Sequence, residues 1–176
     1  SDAIVTFNAA NGVQTITATI NGLATTEGTL AVFDGDAGQS DLITFSAAVG
    51  STQGLKAINI GTATQGADAS FSSTVDATTI TITGGNAAGE NAGAVFAGNL
   101  TATTLALVGG GDTTADATAT ISGNATTAIT LDDVTGQSSL VFNGSSAQTI
   151  SGTITAVSDG DGDITVSNTK IGRAHV

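Results

Sequence analysis

Residues 94–107 read AVFAGNLTATTLAL, and residues 119–131 repeat the pattern as ATISGNATTAITL. Each stretch contains a short strand, a Gly-Asn turn and a second strand in which apolar and small residues alternate. The leading residues of successive first strands are Phe45, Phe71, Phe96 and Ile121. They lie 26, 25 and 25 residues apart. Equal spacing of this kind predicts stacked, near-identical units, as in a β-solenoid.

The second strands of the repeat recur at nearly the same spacing in sequence as the first strands. Their centres are Ile58-Asn59-Ile60, Ile80-Thr81-Ile82, Leu105-Ala106-Leu107 and Ile129-Thr130-Leu131, in steps of 22, 25 and 24 residues. Alternation with a period of two turns one side of each strand inward, so we expect apolar residues to stack coil upon coil. Gly98-Asn99 and Gly123-Asn124 are expected at sharp corners that use positive φ. Stacked Asn residues can form a hydrogen-bonded ladder there; ordinary turn propensity is the alternative.

The composition is typical of continuous strand pairing. The 176-residue chain is 40% hydrophobic and contains 24 Gly but no Pro, Cys, Met, Trp or Tyr. Each Pro would remove a backbone N–H donor from a sheet ladder, so its absence leaves the pairing uninterrupted. We predict an all-β fold, a parallel β-solenoid with about 20–25 residues per coil. Tandem β-sandwich repeats are the alternative, although a sandwich repeats at about 100 residues.

A longer repeat overlies the short one. Residues 7–16, FNAANGVQTI, match residues 142–150, FNGSSAQTI, if one residue is inserted in the first copy. The copies are 135 residues apart before the insertion and 134 after it. We therefore predict a single solenoid segment at residues 1–169, with one unit of about 135 residues and the start of a second copy from about residue 139.

The last seven residues differ in character from the rest. Residues 170–176, KIGRAHV, resemble the translation of a common sequencing adapter and hold the only His and the only Arg. We predict a non-native tail there; an ordinary flexible terminus is the alternative. The preceding residues begin without Met and contain neither a signal peptide nor an apolar run long enough to cross a membrane. These features favour an internal segment of a longer protein.

The charge of the chain excludes two classes of partner. Before the tail, 15 acidic residues and one base, Lys56, give a formal charge of −14. Such a surface repels nucleic acid and anionic lipid, which proteins bind through Lys and Arg. The expected partners are neighbouring repeats of the same parent chain and a host, matrix or polysaccharide surface.

An acidic run near the C-terminus is the best candidate for a metal site. Residues 159–163, DGDGD, space three carboxylates at positions one, three and five, as calcium loops do. Asp159, Asp161 and Asp163 are therefore candidate ligands for Ca²⁺. The position of the usual twelfth-residue Glu is Lys170. The matching residues of the first copy are Thr25, Glu27 and Thr29. A solvated acidic turn is the alternative.

The sequence offers little for catalysis. General acid–base and nucleophilic chemistry draw on His, Cys, Lys, Tyr or paired carboxylates. Asp132-Asp133 is a carboxylate pair of the kind that glycosidases need, but adjacent strand residues point to opposite faces. We therefore predict no catalytic residues and no enzyme activity.

The acidic, Cys-free units rich in Thr, Ala and Gly, with QTISGTI at residues 148–154, resemble the β-helical passenger repeats of bacterial autotransporters and related surface or surface-layer proteins. The resemblance covers nearly all of residues 1–169. It implies an extracellular or cell-surface rod with roles in adhesion, biofilm or protection. We expect a non-catalytic structural or adhesive repeat segment of a long exported protein. A calcium-stabilised surface-layer module and a carbohydrate-active β-helix are the alternatives.

One interval interrupts the aromatic spacing. Phe33 and Phe45 are only 12 residues apart, whereas Phe7 and Phe33 are 26 apart. The acidic residues between them lie at 34–41. We expect a protruding loop or a break in the stack there.

Overall fold

The computed structural model describes residues 2–9, 12–35 and 41–168. Within these residues the chain forms strands and turns, without a helix. The strands are β1 Ile4–Asn8, β2 Gln14–Ile16, β3 Thr29–Phe33, β4 Leu42–Phe45, β5 Leu55–Ile60, β6 Ala67–Phe71, β7 Val75–Thr83, β8 Ala92–Phe96, β9 Leu100–Val108, β10 Ala117–Ile121, β11 Ala125–Asp132, β12 Ser138–Phe142, β13 Ile150–Ser151, β14 Ile154–Ala156 and β15 Asp163–Val166. The predicted tail at 170–176 lies outside the described residues.

The chain winds between two parallel sheets. Sheet 1 has the order β1-β3-β5-β7-β9-β11-β13, and β14 also pairs with β11. Sheet 2 has the order β2-β4-β6-β8-β10-β12-β15. Each coil contributes a strand to sheet 1 and then a strand to sheet 2, which makes a β-solenoid of about six turns. This confirms the predicted fold class, because a β-sandwich is built from antiparallel sheets.

The aromatic series predicted from the spacing forms one column inside sheet 2. Phe45, Phe71, Phe96, Ile121 and Phe142 face one another on successive strands. The rings of Phe45 and Phe71 stack with centroids 5.0 Å apart, and those of Phe71 and Phe96 lie 5.2 Å apart. The inward residues of both sheets belong to one hydrophobic core. The predicted coil-on-coil stacking of apolar side chains is confirmed.

The short interval between Phe33 and Phe45 does not break the stack. Phe33 ends β3 in sheet 1 and Phe45 ends β4 in sheet 2, so the chain crosses between the sheets within one coil. Strand β4 pairs with both β2 and β6, and the prediction of a break is wrong at this point. The core of the predicted loop, residues 36–40, lies outside the described residues. Phe7 belongs to sheet 1 and packs edge-on against Phe45, with centroids 5.5 Å apart.

The Gly-Asn corners differ from the prediction in their backbone. Neither Gly98 nor Gly123 has a positive φ. Glycine is needed because the coils approach closely: a Cβ on Gly123 would lie 2.2 Å from the Gly98 oxygen. Asn99 Oδ1 accepts a hydrogen bond from the Asn124 N–H at 3.3 Å. Asn124 Oδ1 accepts one from the Thr149 N–H at 2.8 Å, so the ladder joins each side chain to the next backbone.

The two copies of the long repeat occupy different places in the coil. Phe7 lies in sheet 1, whereas its match Phe142 lies in sheet 2. Leu30 and its match Ile164 are likewise in sheet 1 and sheet 2. The 135-residue step in sequence therefore does not span a whole number of coils.

Candidate functional site

The acidic run predicted to bind calcium forms the turn between β14 and β15. The Asp161 N–H donates to the Ser158 oxygen at 3.2 Å, and the Ser158 N–H donates to Asp161 Oδ2 at 2.8 Å. Asp163 lies beyond the turn, as the first residue of β15. In the described parts of the chain, no group of three His, Cys, Asp or Glu side chains is placed to hold a metal ion. Asp161 thus caps its own turn, and calcium binding stays a prediction.

The first copy of the long repeat contains the same turn with fewer acids. The Glu27 N–H donates to the Ala24 oxygen at 3.1 Å, as Asp161 does to Ser158. Thr26 has a φ of 69°, and its match Gly160 has a φ of 95°. Since the backbone shape is retained with a single carboxylate, three carboxylates are not required to form it.

In the carboxylate pair Asp132-Asp133 at the end of β11, Asp133 accepts hydrogen bonds that hold the fold together. Asp133 Oδ1 accepts the Ser138 N–H at 2.6 Å, and Asp133 Oδ2 accepts the Gly162 N–H at 3.0 Å. Burial raises the pKa of Asp133, but these bonds and the Ser138 hydroxyl outweigh it and hold the pKa below its ordinary value. Asp133 therefore joins the β11–β12 connection to the next coil. A carboxylate held in the ionised form is poorly suited to act as a general acid.

Asp68 is a carboxylate whose environment sequence reasoning missed. It lies on the outer side of β6, and burial raises its pKa to about 6 despite a hydrogen bond from Gly93. The nearby Asp34 carboxylate raises the pKa further. A Cβ on Gly93 would lie 2.4 Å from Asp68 Oδ1, so a larger residue at Gly93 would require the Asp68 carboxylate to move. The signal for this arrangement in the sequence is a Gly, here Gly93, that follows the Asp by one coil period.

A shallow groove surrounds this carboxylate on the outer face of sheet 2. Its volume is about 300 Å³, and its walls include Leu42, Asp68, Val95 and Thr118. The groove combines one carboxylate, hydroxyl groups and exposed methyl groups. Such a set can exchange hydrogen bonds through the carboxylate and the hydroxyls and make apolar contact through the methyl groups.

Hydroxyl and methyl groups line the outer faces of both sheets at the spacing of the coils. The central outward column of sheet 2 is Thr15, Thr44, Ser70, Val95, Thr120, Val141 and Thr165. The corresponding column of sheet 1 is Thr6, Ala31, Asn59, Thr81, Ala106, Thr130 and Thr155. Neighbouring parallel strands are about 4.8 Å apart, so each column is a regular row of small groups.

A second cleft lies beside the first coil. It has a volume of about 410 Å³, and its walls include Asp2, Val5, Leu23 and Glu27. At its edge the Lys56 ammonium pairs with Asp2 on the surface. The hydrogen bond from Lys56 lowers the pKa of Asp2 below its ordinary value. The cleft wall is acidic and partly apolar.

Comparisons with protein-family models, with curated proteins and with solved structures found no match. In the described part of the chain, no helix is long and apolar enough to cross a membrane.

Proposed function

We propose that this chain is a non-catalytic structural and adhesive segment of a long exported bacterial surface protein. The observation that best supports this proposal is the coil-on-coil register, which continues through both sheets from β1 to β15. Each coil buries its apolar residues against the coils above and below, so the stack resists bending and can be extended by further coils of the same kind. An extracellular or cell-surface location agrees with the acidic, Cys-free composition.

The adhesive part of the proposal places binding on the outer face of sheet 2. Its central column carries Thr15, Thr44, Ser70, Thr120 and Thr165 with two Val residues among them. Hydroxyls at coil spacing can exchange hydrogen bonds with the repeating hydroxyls of a polysaccharide or matrix. The methyl groups of Val95 and Thr120 supply apolar contact beside the Asp68 groove.

The test measures retention of the protein on a panel of immobilised polysaccharides and matrix proteins. We expect retention on at least one surface, with a loss of about tenfold for Thr120→Glu on sheet 2. The matched control is Thr81→Glu, an outward residue of sheet 1 one coil away. Equal loss with both variants would contradict the assignment of the face, and no retention anywhere would contradict adhesion. Release of soluble sugar from any polysaccharide would contradict the non-catalytic role.

A further inference from the structure

The outer face of sheet 2 has a gap in the middle of the stack. One of its columns places Leu42, Asp68, Gly93 and Thr118 on successive strands. Gly93 has no side chain, and a Cβ placed there would meet, apart from its chain neighbours, only Asp68 among the described residues. Strands β6, β8 and β10 are each paired on both sides, so the gap lies within complete coils. The gap between Asp68 and Thr118 opens into the groove and does not depend on the ends of the stack.

The groove holds a carboxylate for which the described residues supply no cation. Burial opposes the charged form of Asp68, and the buried Asp34 carboxylate nearby opposes it further. The hydrogen bond from the Gly93 N–H compensates only in part, since the pKa of Asp68 is raised to about 6. Lys56 is the one Lys or Arg among the described residues, and it pairs with Asp2. A cation bound in the groove would favour the ionised carboxylate.

The walls around the carboxylate suit a cationic sugar better than a bare ion. The described residues place no three metal-ligating side chains together, so the groove lacks the several oxygen ligands that a divalent ion needs. Val95 lies in the neighbouring outward column and is 39% exposed, which offers an apolar contact. The Thr118 and Thr120 hydroxyls beside it can donate or accept hydrogen bonds. An amino sugar combines an ammonium group, hydroxyls and an apolar ring face.

We propose that the Asp68 groove binds an amino sugar of a polysaccharide, with the ammonium group on Asp68, the ring face on Val95 and the hydroxyls on Thr118 and Thr120. This inference rests on the proposed adhesive function and names the class of its ligand. Before the tail, 15 acidic residues and one base leave an excess of negative charge, which attracts a cationic polysaccharide over the whole surface. The groove then selects the amino sugar from other cations.

The test measures binding of glucosamine oligomers to the whole chain by calorimetry at neutral pH. N-acetylglucosamine oligomers of the same length are the uncharged probe. We expect the amino form to bind about tenfold more tightly, because the carboxylate adds a charge-assisted hydrogen bond. Salt should weaken binding of the amino form and leave the acetylated form unchanged. Equal affinities for the two forms would overturn the proposal, and so would an equal affinity for oligolysine, which has the charge without the sugar.

A pair of variants separates the groove from the overall charge. Asp68→Asn removes the charge, keeps the size of the side chain and should lower the affinity for glucosamine oligomers about tenfold. The same change removes a partly buried charge and should stabilise the fold at neutral pH, so the loss of binding cannot come from unfolding. The matched control is Asp76→Asn, which removes one exposed charge from the outer face of sheet 1 and should leave the affinity unchanged. Equal losses with both variants would overturn the proposal.

The amino-sugar site and the adhesive function can fail separately. The panel of immobilised surfaces includes the acetylated and the deacetylated form of one polysaccharide. Retention on neutral surfaces that is unaffected by Asp68→Asn would overturn the amino-sugar site and leave adhesion standing. Binding of glucosamine oligomers in solution, without retention on any surface, would support the site and contradict adhesion.

Discussion

The middle and the last coil place similar apolar residues in the same column, yet they differ in burial. Phe71 lies between the rings of Phe45 and Phe96 and is buried, whereas Val166, the last member of the column among the described residues, is half exposed. Both lie on inward positions of parallel strands. In a stack of coils, burial is supplied by the neighbours above and below. The difference teaches that position along the axis, as well as residue type, decides how much a side chain stabilises this fold.

The largest expected effect on stability comes from truncating one side chain in each of the two regions. Phe71→Ala should lower the free energy of unfolding by about 3–5 kcal/mol, because it leaves a cavity between two rings. Val166→Ala should cost less than about 1 kcal/mol, because half of the side chain is already in water. Urea unfolding followed by circular dichroism measures both. Equal losses would contradict the dependence on position.

A smaller effect is expected where the coils approach most closely. Gly123→Ala would place a Cβ 2.2 Å from the Gly98 oxygen and should cost about 1–3 kcal/mol. The matched control is Gly111→Ala, whose Cβ would lie 3.4 Å from Asn86 Cβ. The control should change stability by less than about 0.5 kcal/mol. Thermal unfolding of the two variants checks this, and a control as damaging as Gly123→Ala would refute the close-approach explanation.

The next effect is a pH dependence of the protein's stability that is caused by Asp68, in the middle of the stack. The pKa of Asp68 is raised to about 6 from its ordinary value of 3.8, so the folded protein holds a proton that the unfolded chain releases. The contribution of protonated Asp68 to the stability of the folded protein is complete below pH 3.8 and is lost as the pH rises through about 6. Asp68→Asn should therefore raise stability at neutral pH relative to the wild type.

Asp112 provides the control of opposite sign. Hydrogen bonds from the Thr114 N–H and hydroxyl lower the pKa of Asp112, so its contribution is present at neutral pH and is lost on acidification. Asp112→Asn should slightly lower stability at neutral pH. Melting temperatures measured across the acidic range compare the two variants. The explanation fails if Asp68→Asn is not more stable than the wild type at neutral pH.

The smallest effect concerns calcium at the terminal turn. If Asp159, Asp161 and Asp163 bind Ca²⁺, millimolar calcium should raise the melting temperature by a few degrees, and Asp161→Ala should abolish the rise. Glu27→Ala at the matching turn of the first copy should leave the rise intact. Calorimetry with and without calcium measures the shift. No calcium response in the wild type would remove this site.

The stacked core could be predicted because period-two alternation and the step of about 25 residues both survive in the sequence. The sheet assignment of Phe7 and Phe33 could not, because an apolar residue at the right interval is compatible with either sheet. The role of Gly123 was missed because turn propensity and close approach select the same residue. The raised pKa of Asp68 comes chiefly from its burial and to a smaller extent from the Asp34 carboxylate, which is distant in sequence and comes near only in the folded stack.

The offset between the two copies of the long repeat has a consequence for the outer surface. Phe7 and Phe142 hold equivalent places in the repeat but lie in different sheets, so the repeat is out of phase with the winding of the coil. Leu30 and its match Ile164 likewise lie in opposite sheets. A side chain that belongs to sheet 1 in one copy can therefore have its equivalent in sheet 2 in the next, so the two faces of the solenoid share parts of the same repeat.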